Sequence, residues 1–415
     1  MIFGIFYFPY LVVTKRYRYG MAERLGFLPE RFKSICARRR IIWIHAVSLG
    51  EMKAAGIVAP LLRRSFPGHT IIFSSITHTG NETAKAIATA DEGVFYLPLD
   101  LSFITDKVVK LIKPELFLLL EAELWPNLIG SLYRRGAKIA LVNGRVSDNS
   151  YRGYKNIKPV ISRILNKFSL ISMQSERDAE RMMALGAPKD RVFAAGNLKF
   201  DISSPDFSGK TQEIREKLGL GGAEILLIAG STNKGEEEQV IDCFSRLKKD
   251  YSALRLLIAP RHVERTGEIE RILTEKGFGV IRYSCMGDIS SQSVFILDTI
   301  GNLKTIYSAA DIVFVGGSLM PKRGGQNPIE PASLSKPVIM GRFMANYQDI
   351  VRDFLENHAA IQVKDKDELY SAIKSLLDNP TERDKIGVNA RKVVDKNSGS
   401  AQRTIEQIRP LLTSH

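Results

Sequence analysis

Short apolar runs alternate along the whole chain with longer stretches whose apolar positions recur at helical spacing. In the first half "IIWIHA" (41–46), "TIIFSS" (70–75), "VFYL" (94–97), "ELFLLL" (115–120), "KIALVN" (138–143) and "SLISM" (169–173) predict strands. Stretches such as "GEMKAAGIVAPLLRRSF" between them predict helices. The second half restarts with "EILLIAG" (224–230), then "LRLLIA" (254–259), "VFIL" (294–297), "IVFVG" (312–316) and "PVIM" (337–340). Continuous Val/Ile/Leu runs separated by helices predict parallel strands covered on both faces. Two such sets, joined by the polar "DISSPDFSGKTQ" (201–212), predict an α/β chain of two doubly wound parallel-sheet, Rossmann-like domains facing across a cleft. In such sheets ligands bind beyond the carboxyl ends of the strands.

The 415 residues suffice for two or three domains with large cores. The expected divisions are a membrane-associating segment over 1–25, domains over 26–205 and 206–390, and a C-terminal helix over 391–415 that packs back toward the first domain. Three cysteines, Cys36, Cys243 and Cys285, are too few and too scattered for a disulfide framework or a cysteine metal site. The formal charge of +14 predicts partners with negative charge. Its distribution argues for a membrane surface rather than nucleic acid. Residues 1–40 carry nine Lys/Arg against two Glu, directly behind the apolar opening "MIFGIFYFPYLVV". A second stretch, "YRGYKNIKPVISRILNKF" (151–168), has five cations and no acid. Apolar residues flanked by cations and tyrosines fit an anchor facing anionic headgroups. The opening run is shorter than the roughly 20 residues that span a bilayer, and it lacks a cleavage site for a signal peptide. An interfacial anchor is therefore expected, the alternative being a first helix packed on the domain.

Several residues stand where chemistry is expected. Glu51 falls in the first turn of a helix after a strand, where it either complements the helix dipole, worth about 0.3–1 kcal/mol, or acts as a general base. Glu121 ends the strand "ELFLLL", and strand periodicity points it to the face of Leu119, toward solvent or a ligand. Thr79 and Glu82 fit a capping box, and His78 has no spaced ligand partners for a metal. Gly230, Ser231 and Thr232 occupy a strand-to-helix junction, where free N–H groups favour phosphate. Neither a Walker sequence nor G-x-G-x-x-G is present, which weakens NTPase and dehydrogenase readings. Arg261 and His262 follow "LRLLIAP", offering either a fork for a phosphate oxygen or a solvated basic turn. Gly316, Gly317 and Ser318 end another strand in glycines that let backbone approach a ligand. Glu330 follows in "NPIEPASLSKPVIMG", where it accepts hydrogen bonds from a ribose or caps a helix.

"HAVSLGE", "EAELWPNLI", "LVNGRVSDNS", "GNLKFD", "AGSTNKGEEE", "APRH" and "GGSL…GGQNPIEPA" occur in this order over nearly the whole chain. Together they resemble the bacterial 3-deoxy-D-manno-octulosonic acid (Kdo) transferases, two-domain GT-B glycosyltransferases. The resemblance implies transfer of Kdo from CMP-Kdo to lipid IV(A), the lipid A precursor, in the inner-core step of lipopolysaccharide biosynthesis. It implies a place on the cytoplasmic face of the inner membrane. It makes Glu51 the proton acceptor, with Glu121 and Lys199 as transition-state stabilisers. Pro260 and Arg261, then Gly301, Asn302 and Leu303, then Asn327, Pro328, Ile329 and Glu330 would bind CMP. Ser231, Thr232, Gly316, Gly317 and Ser318 remain candidate phosphate contacts. No cofactor and no metal are implied beyond the donor substrate. The short N-terminal apolar run departs from the family's longer anchor.

Two other readings stay open on the residues alone. One is a GT-B transferase or epimerase using a UDP-sugar. The other is a non-catalytic membrane-surface or nucleic-acid-binding protein. Against the latter, a merely charged face needs no Glu51 and Glu121 at strand ends.

Overall fold

The computed structural model describes residues 19–37, 40–121, 123–201, 208–286, 289 and 293–413. The N-terminal apolar run expected to anchor the chain lies outside them. The chain divides into two compact units, Met1–Asp201 with Asn397–His415, and Ile202–Lys396.

The first unit holds a seven-stranded sheet of β1 (Arg40–His45), β2 (His69–Ser75), β3 (Gly93–Tyr96), β4 (Leu116–Leu120), β5 (Lys138–Gly144), β6 (Leu170–Met173) and β7 (Val192–Ala194). Their order is β3-β2-β1-β4-β5-β6-β7, with every pair parallel. Helices cover both faces, which explains why β4 is apolar throughout and wholly buried. Trp43, Phe95 and Phe117 pack on one face, and Ile42, Phe73 and Leu118 on the other. The helix Ser400–Thr413 closes the second face with Ala401, Ile405, Ile408 and Leu412, one stripe at helical spacing. Asp201 fixes its start, because its carboxylate accepts the N–H groups of Gly399 (2.5 Å), Ser400 (3.2 Å) and Ala401.

The second unit repeats the plan with β8 (Ile225–Thr232), β9 (Leu254–Pro260), β10 (Gly279–Arg282), β11 (Ser293–Ile296), β12 (Ile312–Val315), β13 (Val338–Gly341) and β14 (Ala360–Val363). The order is β10-β11-β9-β8-β12-β13-β14, again parallel. The expected fold class, two doubly wound parallel-sheet units, is therefore present. Three strands escape the sequence pattern: β7, β10 and β14. All lie at sheet edges, and each is only three or four residues long and partly exposed.

Chain order reverses between β1 and β4 in the first sheet and between β8 and β12 in the second. Such switch points open a crevice at the carboxyl ends of the strands. Glu51 and Glu121 follow β1 and β4, whereas Ser231 and Gly316 lie at the ends of β8 and β12.

One helix start differs from expectation. Thr77, not Thr79, caps the helix His78–Ile87, its hydroxyl accepting the Gly80 N–H at 3.1 Å. Glu82 instead pairs with Lys85 at 2.7 Å. Thr77 already has extended backbone, the conformation an N-cap needs, while Thr79 lies inside the helix.

Candidate active site

In the first unit, Ser48 caps the helix Leu49–Ser65, and Glu51 sits three positions on. The Val47 N–H donates to Glu51 Oε2 (2.6 Å) and the Ser48 hydroxyl to Oε1 (2.8 Å). This is a capping box, with the carboxylate reaching one residue further back than usual. Glu51 is only 8% exposed. Burial, reinforced by the negative charge of Glu121, pushes its carboxyl up to about 7 against the two hydrogen bonds. Cap and titratable acid are thus one residue.

Glu121 does not continue the strand. β4 ends at Leu120, and Glu121 turns to a left-handed φ of 57° while its N–H still donates to Val142 O (3.1 Å). Strand periodicity therefore does not set its direction, contrary to the expectation that it shares the face of Leu119. A non-glycine residue at this φ costs on the order of 1–3 kcal/mol and persists only where its surroundings hold it.

Lys199 lies in the short 3₁₀ turn Leu198–Phe200. Asn197 Oδ1 accepts its N–H (3.0 Å), and Asn143 Oδ1, at the end of β5, accepts the Leu198 N–H (3.0 Å). The helix of Glu51 also touches this turn. Glu51, Glu121 and Lys199 are thereby carried on neighbouring elements at one end of the sheet.

In the second unit, Arg261 follows β9 directly after the buried Pro260, its N–H donating to Thr232 O (2.8 Å) and its side chain exposed. His262 pairs instead with Glu264 (3.4 Å). Asn327 Oδ1 accepts the Ile329 N–H (3.1 Å), and Asn327 Nδ2 donates to Glu330 Oε1 (3.2 Å). Pro328 caps the single helical turn Ile329–Ala332. Tyr347 feels the charges of both Glu330 and Arg261. Burial pushes its hydroxyl up to about 12, Glu330 adds to the rise, and Arg261 opposes it. Lys304, next to Leu303, is lowered by burial and raised by Glu330. Gly301 takes a φ of 92°, and Asn302 donates to Thr299 Oγ1 (2.9 Å) before the helix Leu303–Ile306. Glu330 thus acts electrostatically on both Lys304 and Tyr347, and Arg261 on Tyr347.

Gly316, Gly317 and Ser318 do not offer free N–H groups to a phosphate, contrary to expectation. The Gly316 N–H donates to Gly230 O (2.8 Å). Those of Gly317 (2.6 Å) and Ser318 (2.8 Å) donate to the carboxylate of Glu236. The Ser318 hydroxyl is spent between Val315 O and the Gly341 N–H. Their close approach is to protein: a Cβ on Gly316 would lie 2.6 Å from Thr232 Cα. The same holds for Gly324 and Gly325, at φ 78° and 77°, whose Cβ positions fall within 2.6 Å of Asn346 and 2.2 Å of Met344. Ser231, at φ 55°, is half-buried, and Thr232 is fully buried.

Residues 19–202 match the family model for 3-deoxy-D-manno-octulosonic-acid transferase, and residues 210–393 match that for glycosyl transferases group 1. A 3-deoxy-D-manno-octulosonic acid transferase of Haemophilus influenzae is 35% identical over 405 residues, covering 97% of this chain and 93% of its own. The chain belongs to the Kdo transferase family. A second member, from Chlamydophila psittaci, is 30% identical over 89% of this chain and 84% of its own. The UDP-GlcNAc 2-epimerase of Neisseria meningitidis, solved with UDP-GlcNAc, superposes with a TM-score of 0.60 at 12% identity, covering 89% of this chain and 99% of that one. That likeness shows the shared GT-B fold alone. As a Kdo transferase family member the protein is a glycosyltransferase of lipopolysaccharide biosynthesis.

Two residues of this Kdo transferase family member went without a role in the sequence reading. His45 ends β1 fully buried, and burial drives its imidazole down to about 3, so it is neutral. Its Nδ1 lies 3.1 Å from Ser74 O and 2.9 Å from Ser74 Oγ. The signal in "IIWIHA" was a histidine inside an apolar strand. Glu236 was hidden in the acidic run "GEEE", which reads as a solvated helix start. Among the described residues, no helix is long and apolar enough to cross a membrane, and no group of three or more His, Cys, Asp and Glu could hold a metal.

Proposed function

We propose that the protein transfers Kdo from CMP-Kdo to lipid IV(A) by inverting displacement, with Glu51 as general base. The observation that supports this best is a buried carboxyl at a switch point whose pKa has risen to about 7, the range a base needs at neutral pH. Glu51 takes the proton of the acceptor's sugar hydroxyl as that oxygen attacks the anomeric carbon of Kdo. The bond from that carbon to the phosphate oxygen breaks, and CMP leaves with the electron pair. The proton then passes from Glu51 to water.

Arg261 neutralises charge growing on the departing phosphate, with Ser231 and Thr232 near it at the end of β8. Glu330 accepts hydrogen bonds from the ribose hydroxyls, and Pro260, Gly301 to Leu303 and Asn327 to Ile329 frame the nucleotide. Glu121 and Lys199 stabilise the transition state beside Glu51. The reaction runs on the cytoplasmic face of the bacterial inner membrane. The basic helices Asp148–Asn156 and Lys158–Leu165, with Arg152, Lys155, Lys158 and Arg163 exposed, support contact with anionic headgroups.

Incubating the enzyme with CMP-Kdo and tetra-acylated lipid A precursor, followed by mass spectrometry, tests the reading. One or more Kdo mass increments are expected. No increment, with CMP failing to raise the melting temperature, would overturn it.

A further inference from the structure

The carboxylate of Glu236 is fully buried and accepts four backbone N–H groups. Oε2 takes those of Asn233 (2.9 Å) and Gly317 (2.6 Å), and Oε1 takes those of Ser318 (2.8 Å) and Leu319 (2.9 Å). Consecutive N–H groups converging on one anion form a nest, the arrangement that elsewhere holds a phosphate. Here the chain supplies its own anion. The latch joins the segment after β8 to the segment after β12, across the switch point of the second sheet.

The connection continues. Gly317 O accepts the Gly325 N–H (2.8 Å), and Gly316 O accepts the Gln326 N–H (3.1 Å). Asn327 and Glu330 follow immediately, bonded to each other. On the other side, Asn233 is next to Thr232, whose carbonyl holds the Arg261 N–H. One buried carboxylate thus sets the backbone on which both Arg261 and Glu330 stand.

We propose that Glu236 is a positioning residue for donor binding: an internal anion that fixes the Arg261 and Glu330 segments in register and fills the nest so that the donor's phosphate is met outside it. The inference rests on the donor site proposed above. Glu236 touches no substrate and acts only through the backbone.

The test compares variants by the KM of the donor, CMP-Kdo, against kcat. Glu236→Gln replaces one acceptor oxygen with an NH2 facing two N–H donors. It is expected to raise the donor KM about tenfold or more while kcat of the folded enzyme changes less than about threefold. A purely structural role would instead reduce the active fraction, lowering apparent kcat and the melting temperature and leaving KM unmoved. Glu236→Ala opens a small cavity lined by four N–H groups, and added formate is expected to restore much of the donor KM where formamide does not. Wild-type turnover tests the donor reading separately, since each variant is scored as a ratio to wild type. Where a variant does not fold, amide exchange in the wild type decides. The N–H groups of Gly317, Ser318 and Leu319 are expected to exchange slowly, equally so with and without CMP. Unchanged donor KM in a folded variant, or fast exchange slowed only by CMP, overturns the proposal.

Discussion

Asn143 Oδ1 accepts the Leu198 N–H at 3.0 Å, so the end of β5 holds the turn that carries Lys199. Asn143 is 2% exposed and takes a φ of 55°, which asparagine tolerates better than most residues. Asn143→Ala leaves a buried N–H without a partner and a strained backbone. The expected loss is about 1–3 kcal/mol of stability, read by denaturant unfolding. If Lys199 stabilises the transition state, kcat falls as well, with little change in acceptor KM. A variant with wild-type midpoint and wild-type kcat would show that this bond positions nothing.

The pH behaviour follows from Glu51. Its carboxyl titrates near 7 in the folded chain, chiefly through burial and then through Glu121, against an ordinary 4.5. As a base it works ionised, so kcat/KM rises with pH through about 7 and then levels. Stability moves the other way. Between about 4.5 and 7 the native state holds a proton that the unfolded chain has released. This group's contribution is full below that window and is lost as pH rises through it. Glu51→Gln removes the rising limb and lowers kcat about 10²–10⁴-fold. Glu121→Gln removes a like charge and moves the limb to lower pH, only part of the way because burial remains. A limb that stays in place in both variants would assign it to another group.

How much of this was legible in the sequence depended on where the deciding partner lies. β4 and the middle of β5 read correctly because strands covered on both faces are apolar where they are buried, whereas the edge strands β7, β10 and β14 are short and partly exposed. Glu51 was legible as a first-turn acid. Its high pKa was not, since that comes from burial and from Glu121, which approach only on folding. Glu121 itself misled, because a period of two assumes the strand goes on, and a left-handed residue ends it. The glycines at 316 and 317 were read as letting backbone approach a ligand, and what approaches instead is protein: Thr232 at Gly316. At Gly317 it is Glu236, 81 positions away, and no local pattern names a partner so distant.

Gly316 makes that point measurable. A Cβ there would meet Thr232 Cα at 2.6 Å and Ser231 O at 2.7 Å, and both are backbone atoms that no rotamer change can move. Gly316→Ala is therefore expected to cost about 1–3 kcal/mol or more in stability and to weaken donor binding. Gly267, in the helix Thr266–Glu275, is the control, because a Cβ there meets nothing within 4 Å. Gly267→Ala should stabilise by about 0.4–1 kcal/mol. Equal effects at the two positions would mean that the packing at the end of β12 is looser than described.

The surface of the helices Asp148–Asn156 and Lys158–Leu165 combines exposed Arg152, Lys155, Lys158 and Arg163 with Ile157 and Val160, which are 44% and 53% exposed. Cations and apolar side chains act on a bilayer in different ways. Each cation near an anionic surface contributes about 1 kcal/mol, screened within a Debye length of roughly 8 Å at physiological salt. The apolar contribution of Ile157 and Val160 is insensitive to that screening. Sedimentation with vesicles containing anionic lipid should show binding that weakens as salt rises, down to the weaker level seen on neutral vesicles. Lys155→Glu with Lys158→Glu should remove most of the salt-dependent part, while Ile157→Ser with Val160→Ser should remove most of what survives at high salt. Binding that is equal on neutral and anionic vesicles, and unmoved by the charge reversal, would take the membrane contact away from these helices.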